Sequence, residues 1–394
     1  MPGPLEGIRV IDFGRFIAGP YCAMLLGDMG AEVIRVDRRG GSEDRYIGPI
    51  CESGEGGMFL SINRNKRGLT LSPGKPGADE VIRRLVSGAD IVVANLPLQV
   101  LRKMKVDYES LCEVKPDIIL VMPSTFGPDG PYSERHGFDT IAQAMSGAMS
   151  LTGFSDRPTR ALVPFEDYGT ALHGAFGAMA ALYHRRNTGE GQFVDVSLLA
   201  TGVTFMQPFL AELASTGRTR KQWGNRAFWS APSDCYRTKD GWLVVAVAGG
   251  PMFRRWARLA GREDLIDDRD LQTDIDRADS SDKIDEVMVP WCAERSNAQA
   301  VEELRQARIP AGPVLEPSEV LEDPHVQARE LLKRVPFAGM SEDPLLANTP
   351  VRLSKSPGGI RGSPPRVGEH TDEILEELGF SPEEVAELKR AGAV

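Results

Sequence analysis

Short runs of β-branched and other apolar residues alternate, in the N-terminal part of the chain, with stretches whose apolar positions recur at helical spacing. Residues 8–13 predict a strand, and a loop at 14–19 leads to Pro20, which suits the first turn of a helix. Apolar side chains at helical spacing in 21–29 predict that helix, and 31–36 predict a second strand. These elements form one βαβ unit, whose two strands are parallel and whose sheet is covered by helices.

The same alternation continues through residues 89–95 and 117–122, two short strands of the buried type that each follow a helical stretch. Alternating strands and helices are typical of an open, doubly wound parallel sheet. The sequence therefore predicts an α/β fold with a Rossmann-like large domain.

Beyond about residue 200 the pattern changes to a strand that follows Asp240 and then several charged helices. These helices are predicted at 252–261, 282–294 and 297–307. We expect the large domain to occupy 1–200, a linker 201–224 and a smaller α+β domain 225–325. Two helices follow near the C-terminus, at 371–378 and 381–391, and the second begins with the capping sequence Ser381-Pro-Glu-Glu.

Composition and charge mainly exclude classes of protein and of partner. The 394 residues are 41% hydrophobic and 26% charged, which excludes a disordered chain and a small disulfide scaffold. The net charge of −10 offers no basic stripe, so we expect no nucleic-acid partner. The most apolar runs, 118–122 and 242–248, are too short to span a membrane, so we expect no membrane role either.

Five scattered cysteines contain no Cys-x-x-Cys pair, so neither a metal site nor a disulfide framework is expected. The first residues have no charged and apolar signal regions. Both observations predict a cytoplasmic protein.

Two basic clusters are candidate anion sites. Arg38-Arg39 follow the second predicted strand, where ligands of open α/β sheets collect, and could hold a phosphate of CoA or NADP or form a solvated turn. Asn65-Lys66-Arg67 is open to the same two interpretations, as a phosphate site or as the charged end of a hairpin. The loop at 14–20 departs from G-x-G-x-x-G, which weakens the case for a dinucleotide.

Asp167 lies just ahead of a predicted helix rich in glycine and alanine, residues 171–182. It fits an N-cap, whose side chain accepts from the first turn. It equally fits a nucleophile, because a helix N-terminus stabilises an ionised carboxylate. Spacing alone leaves both roles open, and neither a G-x-S-x-G elbow nor a paired-histidine motif offers another centre.

Taken in order, many short segments identify a family. They lie at residues 5–13, 18–20, 26–34, 65–67, 137–144, 188–192, 309–314 and 368–375. With them the chain resembles the family III CoA-transferases, the group of formyl-CoA and carnitine CoA-transferases, whose fold is shared with α-methylacyl-CoA racemase. The resemblance implies that 326–394 return to the large domain and that two protomers interlock as rings in a homodimer.

The resemblance also places Asp167 on the catalytic aspartate of the family. It implies that CoA moves from an acyl-CoA to a carboxylic acid through acyl-aspartyl anhydrides and an aspartyl-CoA thioester. Coenzyme A is then part of the substrate, and neither a prosthetic group nor a metal is expected.

CoA contacts are implied at eleven positions. These are Ile17, Ala18, Arg38, Leu71, Ser72, Asn95, Leu96, Lys103, His136, Gly137 and Phe138. Lys103 replaces the usual arginine, which keeps the charge but loses the bidentate fork. Leu98-Gln99 replaces a usual Pro-Gly, so that loop differs from the family pattern.

Phe138 separates two activities of the fold. The racemases carry a catalytic histidine at this position, and a phenyl ring cannot move a proton, so a transferase is favoured over a racemase. Residues 224–236 lack the glycine-rich loop of the formyl-CoA transferases, which argues against formate and oxalate. Trp223, Phe228 and Trp229 are interpreted either as acyl-pocket residues or as packing anchors.

The sequence leaves two further functions open. Asp37-Arg-Arg is compatible with an NADP-binding oxidoreductase. The second alternative is a protein that binds CoA without catalysing a reaction.

Overall fold

A computed structural model describes residues 3–394 of the chain. The strands are β1 (Arg9–Asp12), β2 (Glu32–Asp37), β3 (Lys66–Thr70), β4 (Ile91–Val93), β5 (Ile119–Ser124), β6 (Phe193–Ser197), β7 (Ser233–Arg237), β8 (Trp242–Ala246), β9 (Ala311–Pro313), β10 (Leu332–Arg334) and β11 (Leu345–Ala347).

The first ten helices are α1 (Ala18–Asp28), α2 (Gly57–Ile62), α3 (Ala78–Ser87), α4 (Leu98–Met104), α5 (Tyr108–Val114), α6 (Asp139–Met145), α7 (Ala148–Leu151), α8 (Phe165–Thr188), α9 (Leu198–Phe205) and α10 (Gln207–Thr216). The others are α11 (Gly250–Leu259), α12 (Asp274–Asp279), α13 (Ser281–Ala293), α14 (Asn297–Gln306), α15 (Pro317–Glu322), α16 (Pro324–Ala328), α17 (Thr371–Glu377) and α18 (Pro382–Ala391).

The described chain separates into two compact units, each formed from more than one segment. The larger unit contains residues up to 148, 161–217 and 327–394, and the smaller unit contains 149–160 and 218–326. Within the larger unit, a six-stranded parallel sheet has the order β3-β2-β1-β4-β5-β6. The predicted doubly wound α/β sheet is therefore confirmed, and its order reverses direction between β1 and β4.

Helices cover both faces of this sheet because successive strand residues point to opposite sides. On one face Ile11 and Ile34 join the core under α3, α5 and the two C-terminal helices. On the other face Val10 and Val33 pack with the alanines of α1 and α8. Both cores are almost wholly aliphatic, as expected for parallel strands that are buried on each side.

The C-terminal helices flank the β3 edge of the larger unit. Arg67 of β3 forms ion pairs with Glu373 and Glu377 of α17, and the Thr70 N–H donates to Thr371 Oγ1 at 3.1 Å. The predicted capping box of α18 is confirmed, since Ser381 Oγ accepts from the Glu384 N–H and the Glu384 carboxylate accepts in return.

The smaller unit has an antiparallel sheet of order β7-β8-β9. Its core includes Trp256, Ile284 and Met288 from α11 and α13. The smaller unit also contains residues 149–160, which the sequence predicted to lie in the large domain. Those residues belong here because the Gln222 amide donates to the carbonyls of Thr152 and Arg157, and the Gly224 N–H donates to the Gly153 carbonyl at 2.9 Å.

The predicted linker also differs in the structure. Residues 201–217 lie in the end of α9 and in α10 of the larger unit, and 218–224 fall in the smaller unit. The helical content was missed because 201–217 carry few charges and no amphipathic spacing.

Candidate active site

Asp167 is the third residue of α8, which begins at Phe165, so it lies inside the first turn of the helix. The sequence predicted it just ahead of the helix. The N-cap position is Pro164, which has no side chain able to accept a hydrogen bond. The N-cap interpretation of Asp167 is therefore wrong. Asp167 is half-buried and lies at the positive end of a long helix.

Asp139, the first residue of α6, performs the capping role instead. Its Oδ1 accepts from the backbone N–H groups of Glu166, at 2.9 Å, and of Asp167, at 3.2 Å. Gln143, one turn along α6, donates from Nε2 to Asp139 Oδ2 at 2.5 Å and accepts from the Ala161 N–H at 2.9 Å. The nucleophile candidate is thus held through its backbone by a side chain from another helix.

Glu166 is a second carboxyl group in the same turn and is completely buried. Ser146 Oγ donates to its Oε1 at 2.8 Å, while Oε2 has no hydrogen-bond partner. Burial raises the pKa of Glu166 to about 7, an effect that the Ser146 hydrogen bond opposes and the charge of Asp139 increases.

The pKa of Asp167 is raised in the same direction. Burial, the negative charge of Asp139 and that of Glu166 together raise it to about 7. A carboxyl group with this pKa is both a stronger base than an ordinary aspartate and still substantially ionised near neutral pH. That combination suits a nucleophile, because a more basic carboxylate attacks a carbonyl carbon more readily and its ionised form is still present.

Two aromatic pairs lie near this turn within the larger unit. Tyr168 meets Tyr21 of α1 edge to face, with ring centroids 4.9 Å apart. Phe138 meets Phe16 in the same way at 5.3 Å, and 60% of Phe138 is exposed. Phe16 has a positive φ of 59°, so the loop after β1 is turned sharply just before α1.

The predicted CoA-contact residues collect at the carboxyl edge of the six-stranded sheet. Ile17 and Ala18 follow β1, Arg38 follows β2, Leu71 and Ser72 follow β3, Asn95 and Leu96 follow β4, and His136, Gly137 and Phe138 follow β5. Lys103 lies in α4, the helix after β4. Ligands of open α/β sheets bind at this edge, beside the point where the strand order reverses.

Hydrogen bonds join neighbouring loops along that edge. Asn95 receives the Arg15 N–H on Oδ1 at 2.7 Å and donates from Nδ2 to the Arg15 carbonyl at 2.8 Å. The Leu71 N–H donates to the Asp37 carbonyl at 2.8 Å. Asn95 is therefore positioned by the loop after β1, which leaves its side chain committed to the protein.

The eleven positions differ in what they can offer to a ligand. Ile17, Ala18 and Leu71 are buried, so only their backbone atoms can contact one. Arg38, Lys103 and His136 have exposed side chains, and Arg38 lies 3.4 Å from Glu43 in an exposed ion pair.

The cluster at 65–67 has neither of its predicted roles. Lys66 is buried at the start of β3, and its Nζ donates to Asp12 Oδ2 at 2.7 Å, to the Pro20 carbonyl and to Asn63 Oδ1. Asn65 bonds to Asp28 Oδ1 at 2.8 Å. These groups connect strands and helices inside the larger unit, so they form neither a hairpin end nor a phosphate site.

In the smaller unit, Trp223 stacks on Phe228 at 5.7 Å and also lines a cavity of about 380 Å³ with Phe154 and Trp242. The packing interpretation of Trp223 is therefore supported, and its role in an acyl pocket stays a prediction. Trp229 is largely exposed.

Sequence reasoning missed Asp139, Gln143, Ser146 and Glu166. An Asp and a Gln four residues apart on a predicted helix are a recognisable local pair. Their partners, however, lie 27 residues and 18 residues away and could not be identified from spacing.

Within residues 3–394, no group of three or more His, Cys, Asp or Glu is arranged to hold a metal ion. The same part of the chain contains no helix that is long and apolar enough to cross a bilayer.

Comparison with known proteins gives a consistent result. Residues 5–371 match the model of CoA-transferase family III. The chain is 33% identical to the succinyl-CoA–D-citramalate CoA-transferase of Chloroflexus aurantiacus, over 98% of this chain and 97% of that protein. It is also 33% identical to the succinyl-CoA:mesaconate CoA-transferase of Haloarcula hispanica, over 96% and 97%. A solved CaiB/BaiF family protein from Brucella suis superposes with a TM-score of 0.84 at 30% identity, over 96% of this chain and 100% of that one.

Proposed function

This chain belongs to CoA-transferase family III, and we propose that it transfers CoA from an acyl-CoA to a carboxylic acid with Asp167 as the nucleophile. The observation that carries the proposal is the half-buried Asp167 carboxylate in the first turn of α8, with its pKa raised to about 7. The dipole of this helix favours the ionised carboxylate that attacks a thioester.

The proposed reaction balances in four steps. The Asp167 carboxylate attacks the donor carbonyl carbon, which forms a mixed anhydride and expels CoA thiolate. The thiolate then attacks the aspartyl carbonyl, so the donor acid leaves and an aspartyl-CoA thioester remains. The acceptor carboxylate attacks that thioester to give a second anhydride, and the thiolate takes the acceptor acyl group, which regenerates Asp167. Water must be kept out while either anhydride exists.

We place the CoA moiety at the carboxyl edge of the sheet. The exposed cationic side chains of Arg38 and Lys103 are suited to phosphate groups. The backbone after β1 and β3, at Ile17, Ala18, Leu71 and Ser72, offers the close approach that a nucleotide needs.

We propose dicarboxylic acids as the substrate class. The relatives named above are succinyl-CoA transferases that act on citramalate and mesaconate, and both cover nearly the whole of this chain. The departure of 224–236 from a glycine-rich loop supports an acid larger than formate or oxalate.

A homodimer of interlocked protomers is part of the proposal. Apolar residues on one face of α8 are exposed in the single chain, among them Leu172, Phe176 at 76% and Tyr183 at 71%. Large exposed apolar groups in one row favour burial against another protein surface.

The racemase alternative is not favoured. Phe138 has no atom that can carry a proton between carbon and solvent, and the named relatives are CoA-transferases. The same relatives leave no support for an NADP-dependent oxidoreductase.

Trapping with hydroxylamine tests the proposal. Incubation with succinyl-CoA and hydroxylamine should convert Asp167 into its hydroxamate, because both the anhydride and the aspartyl thioester react with this nucleophile. Peptide mass spectrometry would locate the product. The Asp167→Asn variant, which keeps the shape of the side chain, serves as the control and should remain unmodified. Absence of the adduct across a panel of acyl-CoA donors, or deuterium uptake at Cα of a 2-methylacyl-CoA, would contradict the proposal.

A further inference from the structure

Asp139, Gln143 and Ser146, three residues with no assigned role, form hydrogen bonds around the start of α8. We call this group the bracket. We propose that Asp139, oriented by Gln143, is the positioning residue of Asp167 and fixes where its carboxylate lies. This inference rests on the proposed function, in which Asp167 is the nucleophile.

The geometry gives Asp139 control over the backbone of the nucleophile. The first N–H groups of a helix have no partner within the helix, and Pro164 supplies none. Asp139 Oδ1 satisfies two of them, including the N–H of Asp167 itself. Asp139 is only 6% exposed, so water cannot readily replace it as an acceptor.

Gln143 extends the bracket to the segment that precedes α8. Its amide donates to Asp139 Oδ2 and accepts from the Ala161 N–H, so one side chain orients the cap and also holds the backbone shortly before the helix. Gln143 is buried, and both ends of its amide are used. The arrangement therefore admits one orientation of the Asp139 carboxylate.

Ser146, on the turn after Gln143, holds the neighbouring carboxyl group. Its hydroxyl donates to Glu166 Oε1, and Gly202 of α9 leaves the necessary space, since a Cβ there would lie 2.2 Å from that oxygen. Residues of α6 and the turn after it thus contact both carboxyl-bearing residues of the first turn of α8.

The bracket also sets the charge around Asp167. The charged groups that act on it are Asp139 from α6 and Glu166 from α8. The pKa of the neighbouring Tyr168, whose ring meets Tyr21 of α1, is raised by burial, by Tyr21 and by the charge of Asp167. Both charged members are acids. An ionised Asp139 both accepts the two N–H groups and raises the pKa of Asp167, so its replacement by a neutral acceptor should lower that pKa.

Three variants separate position from charge. Asp139→Ala removes the acceptor, and we expect kcat/KM to fall on the order of 100-fold, mainly through kcat, because the nucleophile is displaced. Asp139→Asn places an amide N–H against the Gln143 amide N–H, so a loss of about tenfold is expected. The Asp139→Asn, Gln143→Glu double variant restores every hydrogen bond and moves the charge to residue 143, one turn away along α6.

The double variant gives the decisive reading. It should recover kcat/KM at pH 8 to within about threefold of the wild type. The acid limb of its pH profile should shift to lower pH than in the wild type, because the pKa of Asp167 is lower. Calorimetric affinity for CoA and the thermal transition are measured for all variants, to show that each folds and binds.

The positioning role is overturned if Asp139→Ala keeps the wild-type kcat and pH profile, or if the double variant is no better than Asp139→Asn. Failure of the proposed function is a separate result. In that case wild-type protein itself forms no hydroxamate at Asp167, whereas failure of the positioning role leaves wild type and Asp139→Ala trapped at equal rates.

Discussion

At the scale of single residues, Glu166 is the most unusual side chain in the larger unit. It is wholly buried, it bonds to Ser146 through one oxygen, and its other oxygen has no partner. An ionised carboxylate in such a place is unfavourable, and burial accordingly raises its pKa from 4.5 to about 7.

This shift predicts how stability depends on pH. Between pH 4.5 and about 7 the folded chain holds a proton on Glu166 that the unfolded chain has lost, so its contribution to stability decreases as pH rises. The free energy of unfolding of the wild type should fall between pH 5 and pH 8. In Glu166→Gln this fall should be smaller, by on the order of 1–3 kcal/mol. Urea denaturation at the two pH values measures it.

Glu376→Gln, at an exposed glutamate of the same unit, is the matched control and should leave the pH dependence unchanged. Some dependence will persist in Glu166→Gln, because the pKa of Asp167 is raised over the same range. Equal pH dependence in the wild type and in Glu166→Gln would show that Glu166 is ionised in the fold at no cost.

Residue roles were only partly predictable from the sequence. Asp167 was recognisable as a candidate, but its two roles could not be separated because both require a helix N-terminus. The structure separates them by showing that Asp139, 28 residues earlier, accepts from its N–H. A capping partner supplied by another helix depends on tertiary packing, which no local pattern contains.

At the scale of elements, α8 owes its close packing to glycines. A Cβ at Gly177 would lie 2.5 Å from Val194 Cγ1 of β6, and one at Gly174 would lie 3.2 Å from Val121 Cγ1 of β5. The glycine and alanine content of this helix was visible in the sequence and predicted a close neighbour. Which strands it meets became known only from the sheet order.

Gly177→Ala tests that packing. Alanine at a helix interior should stabilise by roughly 0.5–1 kcal/mol. The valine is β-branched and stiff, so the contact costs about 1–3 kcal/mol, and we expect a net loss of about 1 kcal/mol in the free energy of unfolding.

Ala180→Gly, at an exposed position of the same helix, is the control, since it reports helix propensity without the contact. Chemical denaturation compares the variants with the wild type. An increase in stability for Gly177→Ala would mean that β6 yields to the methyl group.

At the scale of the whole molecule, the sequence correctly predicted a parallel, doubly wound α/β sheet. The prediction succeeded because strand-helix alternation is a local pattern with one common topological outcome. Segment 149–160 was misplaced because its partners, such as Gln222, lie about seventy residues away in the chain.

The proposed homodimer is tested by the exposed face of α8. Phe176→Glu places a charge in the middle of the apolar row, so it should shift the protein from dimer to monomer or to aggregates. Light scattering after size exclusion reports the mass. Lys75→Glu, a charge change at an exposed loop, is the control and should leave a dimer. A Phe176→Glu protein that stays dimeric would place the interface elsewhere.

The larger unit is assembled from three separate segments of the chain, and the last of them is synthesised long after the sheet. A ribosome completes β6 at residue 197, yet Glu373 and Glu377, which neutralise Arg67 at the sheet edge, are made about 180 residues later. At ordinary translation speeds that is roughly 10–40 seconds. Throughout that interval the nascent chain carries an almost finished sheet with one uncovered flank, so the yield of this protein is expected to depend on chaperones and on the pace of elongation more than its final stability implies.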